Sequence, residues 1–125
     1  MMLLDHFYKI EKEEILSDIQ FSYHIILNQD SEIFKVHFPG KPITPGACLI
    51  ELVKELLSIH CHHALRLSFA KSIKFIHVIE PSVNACIVIE YIIREQRSDS
   101  IEVDIIIKNE QQIFTKMSAI FNQQR

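Results

Sequence analysis

The C-terminal half of the chain alternates between apolar and polar residues with the period of β-strands. In the segment SIEVDIIIK, the apolar residues at odd positions 101 to 107 share one face, and Glu102 and Asp104 lie on the other. Residues 83–95 are rich in β-branched side chains and end in the polar tract EQRSDS, which indicates a turn. After a second turn at NEQQ, residues 113–121 form another candidate strand. The pattern predicts an antiparallel meander with one buried face.

Three further segments favour extended structure. Residues 65–79, LRLSFAKSIKFIHVI, read as a strand that stops before Pro81. The segments FYKIEKEEI and FSYHIILN, residues 7–15 and 21–28, are weaker strand candidates near the N-terminus. The chain is therefore predicted to have strands on both sides of its middle region.

The middle region contains the one segment with the pattern of a long helix, from residue 45 to about residue 60. Thr44 is a suitable N-cap, and Pro45 suits the first helical position, where its missing N–H has no partner to lose. Apolar residues cover most of the helix circumference, and a narrow polar stripe falls at i, i+3, i+4 and i+7. The stripe consists of Glu51, Lys54, Glu55 and Ser58. A helix this apolar must be buried against other elements. The predicted fold class is therefore α+β, with a curved antiparallel sheet around one central helix.

Composition places the chain among ordinary globular proteins and removes several classes of function. Its 125 residues fit one domain spanning 1–125, with 48% apolar and 23% charged residues. A net charge of −3 gives no reason to expect a nucleic-acid partner. The three cysteines show no disulfide pattern, and neither a signal peptide nor an apolar run of about 20 residues is found. We therefore expect a cytoplasmic location and no membrane association.

The chain concentrates its glycines and prolines in one short segment, HFPGKPITPGACLIE, residues 37–51. Both glycines and three of the four prolines fall within residues 39–46. Prolines fix φ and restrict the preceding residue, so this connection is stiff. At the predicted helix start, Gly46 has an N–H without a helical acceptor and no side chain to obstruct a ligand. The Thr44 hydroxyl can cap the N–H of Gly46 or of Ala47, which leaves one donor free.

This segment resembles the signature of the hotdog-fold 3-hydroxyacyl-acyl-carrier-protein dehydratases, the FabZ type and its FabA relatives. The shared pattern is H-F-P-G-x-P-x-x-P-G-x-x-x-x-E, which extends from His37 to Glu51. Beyond these fifteen residues the similarity is loose, although the order sheet, long helix, meander fits a hotdog fold. One departure lies just after the motif, where Glu55 stands in place of the glutamine that the family commonly has.

The resemblance implies a hydro-lyase that forms a trans-2-enoyl product from a 3-hydroxyacyl thioester of acyl carrier protein or coenzyme A, without a cofactor or metal. In the family's mechanism, His37 would be the base at the α-carbon and Glu51 the acid that protonates the leaving hydroxyl. The Gly46 N–H would polarise the thioester carbonyl, and Phe38, Pro45 and Ala47 would complete the substrate site. The family's histidine and acid come from opposite subunits, which implies a homodimer or higher oligomer, or a heterodimer with another hotdog subunit.

Each candidate also has a simpler interpretation. Glu51 belongs to the polar stripe, which could be a solvated helix face, and the helix dipole favours its ionised form. Glu51 can hold a proton only if desolvation outweighs the dipole, because full burial raises a carboxyl pKa by up to about 3–5 units. His60 and His63 could share a metal ion, but histidines near a helix C-terminus need no metal to explain them.

Two other functions remain compatible with the sequence. A hotdog thioesterase would hydrolyse the same class of thioester, and would need an acid to activate water but no histidine base. A non-catalytic hotdog subunit would pair with an active homologue and shape its substrate tunnel. Free thiol without enoyl product would indicate the first, and activity only in the presence of a second hotdog protein would indicate the second.

Overall fold

The computed structural model describes residues 3–36 and 43–124, and these form one six-stranded sheet with two helices. The strands and helices follow the predicted order, apart from a short first helix that the sequence pattern did not indicate. The elements are β1 (Tyr8–Ile15), β2 (Gln20–Leu27), α1 (Glu32–Val36), α2 (Gly46–Cys61), β3 (Leu65–Phe75), β4 (Cys86–Gln96), β5 (Ser100–Lys108) and β6 (Ile113–Gln123).

All five strand pairs are antiparallel, in the order β1-β2-β4-β5-β6-β3. The meander predicted for the C-terminal half is confirmed, since β4, β5 and β6 are consecutive in the sheet. At its centre, Ile105 of β5 lies opposite Tyr91 of β4 and Met117 of β6. The apolar residues at positions 101, 103, 105 and 107 are all at most 3% exposed, as the alternation predicted.

Side chains from both edges and from the centre of the sheet contact helix α2, so the sheet wraps around it. On the β1 edge, the Tyr8 hydroxyl donates to Glu55. In the centre, the Tyr91 hydroxyl donates to the Val53 carbonyl at 2.8 Å. On the β3 edge, the ring of Phe75 lies against the first residue of the helix. The prediction of a hotdog fold, one long helix enclosed by an antiparallel sheet, is confirmed.

The start of α2 differs from the prediction by one residue. Pro45 has φ −63° and ψ 141°, which makes it the N-cap, and Gly46 is the first helical residue. The Pro45 carbonyl accepts from the N–H groups of Cys48 and Leu49 at 3.0 and 3.2 Å. Thr44 does not cap the helix, because its backbone is bound to a different segment: its N–H donates to the carbonyl of Ile79. The predicted roles of Thr44 as N-cap and Pro45 as first helical residue are therefore wrong.

The outer face of the sheet carries a small polar network centred on β5. Asp104 accepts hydrogen bonds from Arg94 of β4 at 2.7 Å and from Ser118 of β6 at 2.8 Å. Partial burial acts to raise the pKa of Asp104, but the hydrogen bonds from Arg94 and Ser118 outweigh it and hold that pKa below its ordinary value. The same face also carries half-buried apolar side chains, such as Ile92, Ile106 and Ile120, whereas the fully buried apolar cluster is formed by the other face and α2.

Candidate active site

The amino end of α2 presents two amides that the described chain leaves without acceptors. Within residues 3–36 and 43–124, neither the Gly46 N–H nor the Ala47 N–H donates a hydrogen bond. Ala47 is exposed, and Gly46 and Pro45 are half-buried. The Thr44 hydroxyl, two residues before the helix, is buried and also lacks a partner in these ranges. The predicted donor at Gly46 is thus present, with a second donor beside it.

An aromatic ring from the β3 edge borders this helix end. A Cβ atom built on Gly46 would lie 2.8 Å from Cζ of Phe75 and 3.2 Å from both Cε atoms. Real Cβ atoms do not approach other atoms that closely, so the ring occupies the space that a side chain would need. Gly46 therefore has a structural reason to be glycine, in addition to the access for a ligand that the sequence suggested. Phe75 was not among the predicted site residues, because nothing in its strand pattern shows which part of α2 it reaches.

Glu51 lies one turn further along α2, on the same face as Ala47, which is four residues earlier. Its Oε1 lies 2.9 Å from Nζ of Lys54, and the Glu51 side chain is 31% exposed. It borders a surface groove of about 420 Å³ that continues past Ser58 to His62. In the single chain, then, the carboxyl of Glu51 is paired with an ammonium group and reaches solvent. To act as an acid, Glu51 would have to be shielded from solvent by another chain or by the substrate.

Glu55, the next carboxyl of the polar stripe, has a different environment. It is 5% exposed, and it binds the N-terminal segment through both oxygens. Its Oε2 accepts from the Leu3 N–H at 2.7 Å, and its Oε1 accepts from the Leu4 N–H at 3.0 Å and from the Tyr8 hydroxyl at 3.1 Å. Burial, and next the Glu55 carboxylate, raise the pKa of Tyr8 well above its ordinary value, so the phenol keeps its proton and donates. The residue that departs from the family pattern is a structural anchor.

Two predicted site residues, His37 and Phe38, lie outside the described residues. The roles of both residues remain predictions from the motif. Four predicted residues are described: Pro45, Gly46 and Ala47 together at the helix start, and Glu51 one turn away.

The histidines at the other end of α2 have partners of their own. The His60 ring stacks on Phe21 with ring centroids 3.5 Å apart, and its Nδ1 lies 3.4 Å from a carboxylate oxygen of Glu13. Nδ1 of His63 lies 3.0 Å from the Ala64 carbonyl oxygen. Among the described residues, no group of three or more possible metal ligands comes together.

A groove of about 710 Å³ lies away from the described part of the motif. It is lined by side chains of β1 and β2, by residues 83–88 and by the turn at 108–111, and no described residue of the motif borders it. Volume alone does not supply reacting groups, so the candidate site is placed at the motif and at the two amides that begin α2. In the described ranges, neither helix is long and apolar enough to span a bilayer.

Comparison with solved structures defines the class of protein. A chain of the dehydratase heterocomplex ApeI:P from Xenorhabdus doucetiae is similar with a TM-score of 0.71 and 14% identity, over 91% of this chain and 96% of that one. A hypothetical protein from Staphylococcus aureus, solved as a glutamate-to-alanine mutant, has a TM-score of 0.70 and 16% identity, with 98% of both chains covered. A hypothetical thioesterase from Streptococcus pneumoniae, solved with coenzyme A, has a TM-score of 0.64 and 16% identity, over 94% and 88%. The protein has the hotdog fold.

The family follows from the sequence itself. Residues 11–117 match the model of the ApeI-like family, described as ApeI dehydratase, and this range includes the whole motif. The chain therefore belongs to the ApeI-like family of hotdog proteins. The expected membership of the hotdog superfamily is confirmed, and the family shown is ApeI-like, whereas the FabZ or FabA type is not itself shown. A search of curated proteins finds no match.

Proposed function

We propose that the protein is a 3-hydroxyacyl-thioester dehydratase that acts on acyl carrier protein thioesters. The observation that carries the proposal is the motif from His37 to Glu51 within an ApeI-like chain, with two amides at the start of α2 that have no acceptor among the described residues. Helix N-terminal amides suit a carbonyl oxygen on which negative charge develops. A base and an acid on either side of such a site are the groups that elimination next to a carbonyl requires.

In this proposal the thioester carbonyl oxygen accepts from the Gly46 N–H, which makes the α-hydrogen more acidic. His37 removes the α-proton, and the electron pair of the broken C–H bond forms the double bond between the α-carbon and the β-carbon. The bond from the β-carbon to the hydroxyl oxygen breaks, and Glu51 gives that oxygen a proton, so water leaves. Glu51 must therefore carry a proton at this step, although in the single chain it is paired with Lys54.

The proposal includes an oligomer in which a partner chain completes the site. Strand β3 is an edge of the sheet, so one side of its backbone has no strand beside it. Directly after this edge, the large apolar side chains of Ile76 and Val78 are 45% and 58% exposed. A free strand edge with exposed apolar residues beside it is suited to a subunit contact. A homodimer is the simplest assembly, and the heterocomplex of the similar Xenorhabdus protein supports a heterodimer as the alternative.

A thioesterase is the second candidate, and the pairing of Glu51 with Lys54 favours it. A carboxylate that borders a solvent-filled groove can activate water without first holding a proton. The hypothetical thioesterase from Streptococcus pneumoniae shares the fold, which is compatible with either reaction.

One experiment separates these functions. The purified protein is incubated with a 3-hydroxyacyl thioester of acyl carrier protein, and enoyl product and free thiol are measured separately. We expect enoyl product from the wild type, and a loss of at least about 100-fold in His37→Ala and Glu51→Gln. Equal enoyl formation in all three proteins would refute the dehydratase proposal. Thiol release without enoyl product would establish the thioesterase, and activity only after addition of a second hotdog protein would establish the heterodimer.

A further inference from the structure

The ring of Phe75 forms a wall beside the first amide of α2. Its tip fills the position that a Cβ atom of Gly46 would take, yet 54% of the residue remains exposed. Phe75 lies opposite Thr115, which is buried, so both side chains are on the face of the sheet that holds the helix. The ring therefore lies on the helix side of the sheet beside the first residue of α2, and it is only partly covered.

The backbone around this ring is held in place from two directions. The N–H groups of Ile76 and His77 both donate to the Phe114 carbonyl, at 2.7 and 3.1 Å, directly after β3 ends. Three residues further on, the Ile79 carbonyl accepts from the Thr44 N–H at 2.9 Å, which ties this segment to the residues before α2. The backbone next to the ring is thus anchored to the helix start, and such support is what a residue that discriminates between ligands requires.

The proposed substrate would place a particular atom next to this wall. A carbonyl oxygen that accepts from the Gly46 N–H lies about 2.9 Å from the nitrogen, and the α-carbon is two bonds beyond that oxygen. The ring contacts Gly46 itself, so a substituent on the α-carbon that points towards β3 meets the ring. A hydrogen atom fits at such a contact more easily than a methyl group does.

We propose that Phe75 is a specificity-determining residue that excludes acyl groups with a substituent on the α-carbon. This inference rests on the function proposed above, since it assumes that an acyl carbonyl binds at the Gly46 amide. One extra methyl group in a fitted apolar site changes specificity by about 10–200-fold. Discrimination of this size against α-methyl substrates is the expected property of the wild type.

The test compares thioesters of pantetheine that differ by one methyl group, in the full-length protein. The substrates are 3-hydroxybutyryl-pantetheine and 2-methyl-3-hydroxybutyryl-pantetheine, the latter as a mixture of both α-epimers. The readout is the kcat/KM of the unsubstituted substrate divided by that of the 2-methyl substrate. The variants are Phe75→Ala and the milder Phe75→Leu. The matched control is Phe69→Ala, because Phe69 is 58% exposed on the same strand but lies opposite Ile120, on the outer face. We expect the ratio to fall by about tenfold or more in Phe75→Ala and to stay unchanged in Phe69→Ala.

A binding measurement separates this inference from the proposed reaction. Amide analogues of butyryl- and 2-methylbutyryl-pantetheine can neither lose water nor be hydrolysed, and calorimetry gives their Kd values even if the protein forms no enoyl product. The inference is supported if the Kd of the 2-methylbutyryl analogue, divided by that of the butyryl analogue, falls in Phe75→Ala but not in Phe69→Ala. An unchanged ratio, an equal change in Phe69→Ala, or failure of both analogues to bind the wild type overturns it. Light scattering adds one more outcome: if Phe75→Ala and Phe75→Leu dissociate an assembly that Phe69→Ala retains, the ring is a subunit contact and the inference is wrong.

Discussion

The buried carboxyl of Glu55 gives the strongest test of how this chain is held together. Its two oxygens accept three hydrogen bonds, from two backbone amides and one phenol of the N-terminal segment. In Glu55→Gln, one oxygen becomes an NH₂ group, which is a donor. Whichever way the amide is turned, an N–H of Leu3 or Leu4 then faces another donor. The variant therefore removes at least one buried hydrogen bond and leaves its donor unpaired.

The expected loss of stability follows from these contacts. A buried donor left without its partner costs about 1–3 kcal/mol, and bonds to a charged acceptor lie in the upper part of the range. A protein of this size loses about 4 °C in Tm for each kcal/mol, so we expect Glu55→Gln to lower the Tm by about 4–12 °C. The segment should not detach completely, because Leu3, Phe7 and Tyr8 are at most 2% exposed and stay in the core.

Thermal unfolding, together with hydrogen exchange of residues 3–8, measures both parts of this expectation. Glu51→Gln is the matched control, since it makes the same change one turn earlier on the same stripe. The Glu51–Lys54 pair is partly exposed, and such pairs contribute up to about 1 kcal/mol. Tyr8→Phe removes only the phenol donor and should lower stability by about 1 kcal/mol. If Glu55→Gln unfolds and exchanges like the wild type, Glu55 does not anchor the N-terminal segment and the argument fails.

Three further predictions concern other parts of the molecule. Gly46→Ala should cost about 0.5–1.5 kcal/mol more with Phe75 present than in a Phe75→Ala background, because the ring must turn away from its preferred rotamer; a double-mutant cycle of urea unfolding measures this difference, and equal costs in both backgrounds would contradict the contact. Because hydrogen bonds from Arg94 and Ser118 hold the pKa of Asp104 below its unfolded value, Asp104 stabilises the fold above about pH 4, and this contribution is lost as the pH falls. The difference in free energy of unfolding between the wild type and Asp104→Asn should therefore be smaller at pH 3 than at pH 7. An equal difference at both pH values would refute this prediction. Finally, iodoacetamide should modify the exposed Cys86 first, because burial raises the pKa of the other two thiols; mass spectrometry showing equal rates would count against this.

The sheet could be predicted from the sequence because its burial repeats with a short period. The odd positions of β5 from 101 to 107 are all apolar and all buried, whereas Ile106, at an even position, is half-buried. Local composition also sufficed for α2, which extends from Gly46 to Cys61 where the pattern indicated 45 to about 60. The helix start was misplaced by one residue, because the backbone of Thr44 is bound by Ile79, which lies 35 positions later in the sequence. Local cap preferences cannot include such a contact.

The candidate site was predictable only in part, for a similar reason. The motif pointed to Gly46 and Glu51 as candidates, since their spacing is a property of the sequence itself, and their roles remain predictions. Phe75 escaped prediction because it is one apolar residue among many in β3, and its position beside Gly46 depends on how the edge strand meets the helix. The tight contact that explains the glycine is therefore a tertiary feature.

The two carboxyls of the helix stripe show how environment, rather than residue type, decides what an acidic side chain does. Glu51 and Glu55 lie four residues apart on the same face of α2, and the helical pattern of apolar and polar residues alone gives no reason to distinguish them. The N-terminal segment covers Glu55 and supplies three donors to it, whereas it leaves Glu51 open to solvent with Lys54 beside it. Both oxygens of the covered carboxyl already accept hydrogen bonds within the fold, and the residue is 5% exposed, so it is not open to a ligand. The open one is available for chemistry, but it can act as a proton donor only after a partner subunit or the substrate removes it from water and from Lys54.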